Sequence, residues 1–211
     1  MTRATPYVLA FPFTGRWIVQ NSPADRIPSH GTDLFGSSHA IDFVPVDGEG
    51  RSTRRRFVGL VGTEPPEDFV GFGREILAPI DGEVVRVHDG EPDHRARRAP
   101  LALLAYALTQ ASRIRGGAPA IAGNHVVLRI DGDALVLLAH LRRGSVRVGR
   151  GDVLRTGDVV GECGNSGNST EPHVHVQVST SLDRDGRGLP LAFVRADGEI
   201  GMPVSGEIVD V

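Results

Sequence analysis

From residue 8 onward the apolar residues of this chain come in short runs closed by Gly, Pro, Asn or Asp, and this punctuation constrains the fold more than any other feature. A helix needs about 10–12 residues of 3.6-residue periodicity, whereas a strand is complete in about 4–8. The runs therefore read as strands at Tyr7 to Phe11, Trp17 to Gln20, Ala40 to Val44, Glu83 to His88, His125 to Ile130, Ala134 to His140, Val159 to Glu162 and His173 to Ser179. Pro79-Ile80-Asp81-Gly82 supplies a turn before one of them, and Asp131-Gly132 predicts a two-residue hairpin turn between two others. The expected fold class is mainly β, an antiparallel sheet or sandwich. Its turns come from 27 Gly and 14 Pro, its core from the 40% hydrophobic content, and the 211 residues fit one domain, 1–211.

One stretch departs from this pattern. Leu101, Leu104, Ala105, Leu108 and Ala111 follow the spacing of one buried helical face, with a start near Ala99, Pro100 at an early helical position and Gly116-Gly117 as the end. Residues 90–122 thus read as an insertion carrying one helix, which packs over the sheet or walls a groove.

Charge and cysteine content exclude several function classes. The net charge is -3, the pI is near 6.2 and every basic side chain is Arg, so no general cationic field exists to gather nucleic acid. The Arg runs at Arg54 to Arg56 and Arg97 to Arg98 are local. Cys163 is the only cysteine, which excludes an internal disulfide and a cysteine-built metal site, and its glycine turn reads as structural. No segment approaches the roughly 18 apolar residues of a membrane span. The N-terminus lacks the apolar stretch of a signal peptide, so the expectation is a cytoplasmic protein, or a secreted or cell-wall-associated one if the sequence is truncated.

The chemistry-bearing signal is Pro172-His173-Val174-His175-Val176-Gln177-Val178. Side chains alternate along a strand, so His173, His175 and Gln177 share one face while the valines anchor the other in the core. His140 ends the apolar run 135–139 and is placed to present its imidazole at a rim or groove. Asp42 lies inside Ala40-Ile41-Asp42-Phe43-Val44, where a buried carboxylate is costly unless it is paired or binds a metal. Two histidines and one carboxylate form an accepted catalytic zinc ligand set that leaves a position open for water.

Together these residues resemble the lysostaphin and LytM-type zinc metalloendopeptidases. Asp42 matches the family's aspartate, His140-Leu141 its strand-end histidine, and Gly164-Asn165-Ser166-Gly167-Asn168-Ser169 followed by His173-Val174-His175 its final motif. Ala78-Pro79-Ile80-Asp81-Gly82-Glu83-Val84 and Gly123-Asn124-His125-Val126 resemble two intervening motifs, and the elements run in family order across about residues 30–180. The resemblance implies the family's small antiparallel β structure, the duplicated hybrid motif type, with one zinc ion as cofactor. It implies Asp42 and His175 as metal ligands and His140 and His173 as catalytic imidazoles, one taking a proton from metal-activated water and the other stabilising the oxyanion. The chain departs from the commonest family form at the first ligand, where Ser38 stands four residues before Asp42. His30, in an upstream loop, is the favoured replacement, and His39 is the alternative, lining the groove if it does not ligate.

The implied activity is zinc-dependent endopeptidase cleavage of peptide bonds, with peptide or peptidoglycan cross-links and stem peptides as substrate. Two rivals stand beside it: a non-catalytic module that binds cell-wall peptide or a regulatory partner, and a phosphoryl-carrying domain of similar architecture. His125 reads as structural or groove-edge, His88 and His94 as solvated surface histidines, Glu162 and Glu171 as surface turn residues, and Trp17 as a packing aromatic.

Overall fold

The computed structural model describes residues 5–53, 62–101 and 117–211. The chain forms β1 (Tyr7–Leu9), β2 (Arg16–Gln20), β3 (Ile41–Pro45), β4 (Glu75–Leu77), β5 (Gly82–His88), β6 (Asn124–Arg129), β7 (Leu135–Leu141), β8 (Val153–Leu154), β9 (Val159–Glu162), β10 (Val174–Ser179), β11 (Leu191–Val194), β12 (Ile200–Gly201) and β13 (Ile208–Asp210). The eight strands expected from sequence are all present, with ends shifted by no more than two residues. The mainly β, antiparallel class is what the chain adopts. Strands β4, β8, β11, β12 and β13 are additional, and most are too short for alternation to reveal.

The main sheet has eight strands in the order β13-β2-β3-β10-β7-β6-β5-β8, flanked by a β1-β11-β12 sheet and a β4-β9 pair. Every neighbouring pair in the main sheet is antiparallel. The central strands sort their residues by face. Ile41, Phe43, Val126, Leu128, Val136, Leu138, Val174, Val176 and Val178 enter one apolar core with Leu9, Ile76, Val160 and Phe193 from the smaller sheets. Aromatic rings knit this core: Phe13 stacks on Trp17 at 4.2 Å and Phe11 on Phe193 at 4.8 Å between centroids. Trp17 is fully buried, and its Nε1–H donates to the Thr14 carbonyl at 3.0 Å, which satisfies the one polar atom that burial would otherwise penalise. On the opposite face, Val127, Leu137 and Ala139 meet Ala122 and Leu182 in a second, smaller apolar cluster. That face carries the site.

Two local expectations are corrected. The β6–β7 connection holds three residues, not two: the Ile130 N–H donates to the Ala134 carbonyl at 2.9 Å, with Gly132 at φ 73° and Asp133 at φ 63° in left-handed conformation. Asp133 tolerates that conformation better than most residues, so the loop closes one residue later than the Asp-Gly pair suggests. The second correction is at Gly116-Gly117, expected to end the helix. Gly117–Ala122 is instead helical and leads into β6. Pro100 and Leu101 are helical, and the body of the expected helix, 102–116, lies outside the described residues, as do Arg54 to Arg56. No helix among the described residues is long and apolar enough to cross a membrane.

Candidate metal centre

Strands β3 and β10 are paired with His175 directly opposite Asp42, and this register builds the centre. The Asp42 carboxylate is buried, with Oδ1 at 2.9 Å from His175 Nδ1 and Oδ2 at 3.0 Å from His30 Nε2. His30 arrives from the loop before β3 and sets its ring edge-to-face against His175, centroids 4.9 Å apart. The ligand-capable atoms of His30, Asp42 and His175 all lie within 4.8 Å of one another, the one such group of three or more among the described residues. His39 is not in it and does not line the adjoining cavity; its Nδ1 lies 3.2 Å from Ser38 Oγ.

The hydrogen-bond network shows why these atoms suit a cation. Ser29 Oγ–H donates to the Ala40 carbonyl at 2.7 Å, so toward His30 Nδ1, 3.0 Å away, the hydroxyl acts as acceptor. His30 then carries its proton on Nδ1 and turns the Nε2 lone pair toward Asp42. Lone pairs converging on a buried carboxylate require a shared proton or a metal. Without a metal, protons take that place. Burial alone would raise the Asp42 carboxyl, but when the imidazoles carry those protons the charges of His30 and His173 and the hydrogen bonds from His175 and His30 hold it well below the usual carboxylate range. Burial alone would likewise lower the His175 imidazole, yet the hydrogen bond and charge of Asp42 and the contact with Gln177 hold it above the ordinary value.

Two further imidazoles border the centre. His173 Nδ1–H donates to the Glu171 carbonyl at 2.8 Å, leaving Nε2 at 3.7 Å from Asp42 Oδ1. His140 Nδ1–H donates to the Ser166 carbonyl at 2.9 Å, and its ring lies 4.6 Å from that of His173 and 5.8 Å from that of His175. Both rings are therefore anchored at Nδ1 and keep a free Nε2. Burial, then the neighbouring His173 and His175, hold the His140 pKa well below the ordinary imidazole value, so it is neutral at pH 7.

His140 reaches this face through a β-bulge. Asn124 pairs with Leu141 and Val126 with Leu138, so Ala139 and His140 together oppose the single residue His125. His140 sits at φ 65°, in the left-handed region. Leu138 and Leu141 both enter the main core, while Ala139 and His140 both face the cavity. Regular alternation from Leu138 would have sent the imidazole into the core.

The centre lines a cavity of about 420 Å³. One wall is apolar, with Leu137, Ala139, Ile121, Ala122 and Leu182; the other holds the histidines. Several residues differ from their sequence readings. Glu171 lines the cavity and accepts a hydrogen bond from Ser52 Oγ at 2.7 Å, so it is not a plain surface turn residue. His94 is half-buried, with Nε2 at 2.9 Å from the Gly167 carbonyl, because the glycine turn folds against it. His88 stacks on His125 at 5.6 Å. His125, read as structural or groove-edge, does not differ: it lines the cavity, is 1% exposed and has no partner at Nε2 among the described residues. Asn21 escaped sequence reasoning: at φ 50° after β2, its Nδ2–H donates to Asp42 Oδ2 at 2.8 Å. An Asn directly before Ser-Pro, where left-handed backbone is tolerated, was its only signal.

Comparison with known proteins finds one family signature in part of the chain. The profile of Peptidase family M23 matches residues 105–186, the stretch that holds His140, the glycine turn, His173 and His175. The chain thus carries the sequence signature of that family, on a mainly β antiparallel fold, as its likeness to the lysostaphin and LytM-type peptidases implied. Among solved structures it is similar to a catalytic-domain mutant of the prophage-encoded M23 protein EnpA from Enterococcus faecalis, at 17% identity over 89% of this chain and 91% of that one, TM-score 0.42. It is also similar to the catalytic domain of the antimicrobial peptidase lysostaphin from Staphylococcus simulans, at 16% identity over 70% and 77%, TM-score 0.37. A third similarity is to a chain of the SpoIIQ-SpoIIIAH pore forming complex, at 13% identity over 94% and 90%, TM-score 0.42. A search of the curated proteins finds no match.

Proposed function

We propose that this chain is a zinc-dependent endopeptidase whose substrate is a peptide of the bacterial cell wall, a cross-link or stem peptide. The observation that carries the reading is the convergence of His30, Asp42 and His175, with His140 and His173 each offering Nε2 on the same cavity. The donor set, two nitrogens and one carboxylate oxygen at a buried site, fits the catalytic type of zinc centre. When bound, zinc supplies Lewis acidity, polarising a carbonyl and bringing the pKa of water toward neutrality.

The remaining steps belong to the chain's own side chains. Neutral His140, fixed at Nδ1 by the Ser166 carbonyl, is set to accept a proton from the attacking water at Nε2. His173, fixed at Nδ1 by the Glu171 carbonyl, presents Nε2 beside Asp42 and, when protonated, donates to the developing oxyanion or to the leaving amine. The two roles are interchangeable on this geometry, since both nitrogens border one cavity. The apolar wall excludes water and strengthens each of these interactions.

The test is hydrolysis of purified peptidoglycan and of glycine-containing peptides by zinc-loaded protein, read as release of new amino groups. Activity that disappears in His140→Ala and His173→Ala while zinc is retained supports the assignment. Zinc-loaded protein that releases no amino groups from any of these substrates overturns it and leaves a binding module.

A further inference from the structure

The outer nitrogen of His175 faces Gln177, and the loop above Gln177 decides what that contact means. Gln177 Oε1 lies 3.0 Å from His175 Nε2, and Gln177 Nε2–H donates to the Phe35 carbonyl at 2.9 Å. A carbonyl only accepts, so the amide nitrogen must face Phe35 and the amide oxygen must face His175. An amide oxygen also only accepts, so His175 Nε2 carries a proton in either charge state, and the neutral ring turns its Nδ1 lone pair toward Asp42. If the carboxamide were reversed, its N–H would donate to His175 Nε2. The proton of the neutral ring would move to Nδ1 and occupy the side facing Asp42, from which this nitrogen would hold a metal.

The loop is held in place by one glycine. Phe35 and Gly36 adopt φ 58° and 74° within the turn Leu34–His39, which lies across β10. A Cβ on Gly36 would stand 2.5 Å from the Ser179 Cβ and 3.2 Å from the Ser181 carbonyl, so no larger residue allows the approach. Gln177 itself is 3% exposed, and solvent cannot easily replace the Phe35 carbonyl as its partner.

We propose that Gln177 is the positioning residue of the metal centre, and that the turn Leu34–His39 selects the ligating tautomer of His175 by orienting the Gln177 carboxamide. This rests on the zinc reading of the site. It assigns to a peripheral turn, which contributes no ligand, control over metal affinity. Partners that fix a ligating histidine in this way are worth about 10–100-fold in metal affinity.

The experiment is a zinc titration against a competing chelator, with the cobalt-substituted absorption spectrum as a second readout. Gln177→Leu is expected to weaken zinc binding by about 10–100-fold, and Gln177→Glu to stay near wild type, since a carboxylate still accepts from Nε2–H. Gly36→Ala, remote from the metal, is expected to weaken binding in the wild-type background by displacing the Phe35 carbonyl. In the Gln177→Glu background Gly36→Ala should have no effect on affinity, because a carboxylate presents oxygen whichever way it turns. Far-UV circular dichroism and metal-free melting check folding, and if Gln177→Leu does not fold, the Gly36→Ala and Gln177→Glu cycle carries the test alone. Unchanged affinity in folded Gln177→Leu, or equal losses from Gly36→Ala in both backgrounds, overturns the relay. Failure of the wild-type protein to bind zinc would instead remove the site reading beneath it.

Discussion

Replacing His140 by Gly and by Ala separates the strain at this position from its chemistry. Both changes remove the imidazole and its hydrogen bond to the Ser166 carbonyl, so the difference between them isolates the backbone at φ 65°. Left-handed conformation costs an L-residue about 1–2 kcal/mol, whereas glycine loses about 0.5–1 kcal/mol of chain entropy relative to alanine. The balance favours His140→Gly by about 1 kcal/mol, the reverse of the usual ranking inside a strand. Urea denaturation of the metal-free variants measures this directly, and in thermal melts the glycine variant should lead by about 2–4 °C for a chain of this size. Both variants should bind zinc and hydrolyse nothing. An alanine variant as stable as the glycine variant would mean that the backbone stores no strain there, and that the bulge does not explain how His140 reaches the cavity.

His125 and Cys163 give two further expectations. Burial lowers the His125 pKa below 6.5, so as pH falls below about 6.5 the unfolded chain takes up a proton that the folded chain refuses, and stability drops. His125→Phe should flatten that loss in metal-free urea melts between pH 7 and pH 5.5, by no more than the one-proton limit of about 1.4 kcal/mol per pH unit, and an unchanged slope would show that His125 is protonated in the fold. Cys163 is buried, and desolvation raises its thiol far above the ordinary range. In native protein it should react with a thiol reagent only at the rate of unfolding, and rapid labelling at pH 8 would contradict its place in the core.

Much of the fold was legible because alternation is local. The valines of β10 and the acid within β3 announced their faces, and His175 and Gln177 of β10, with His173 just before it, lie on the cavity side as alternation requires. Alternation failed at His140, where the bulge at Ala139 reverses the face, and no residue type in the run Leu135 to Leu141 signals an insertion. The shortest strands, Val153–Leu154 and Ile200–Gly201, offer too few residues for any period. Asp42 and His175 could be paired from motif order, but the choice between His30 and His39 could not be made from spacing. It depends on a loop closure that brings residue 30 back to β3, fixed by Ser29 Oγ on the Ala40 carbonyl. Asn21 and Ser29 were silent for the same reason: each acts through a contact between segments that sequence proximity does not reveal.

Metal stoichiometry in three variants tests the central claim most directly. Purified wild-type protein and His39→Ala should each hold about one zinc per chain, while His30→Ala and Asp42→Asn should hold far less at the same free zinc concentration. Loss of zinc in His39→Ala with retention in His30→Ala, or retention in Asp42→Asn, would contradict a centre built from His30, Asp42 and His175.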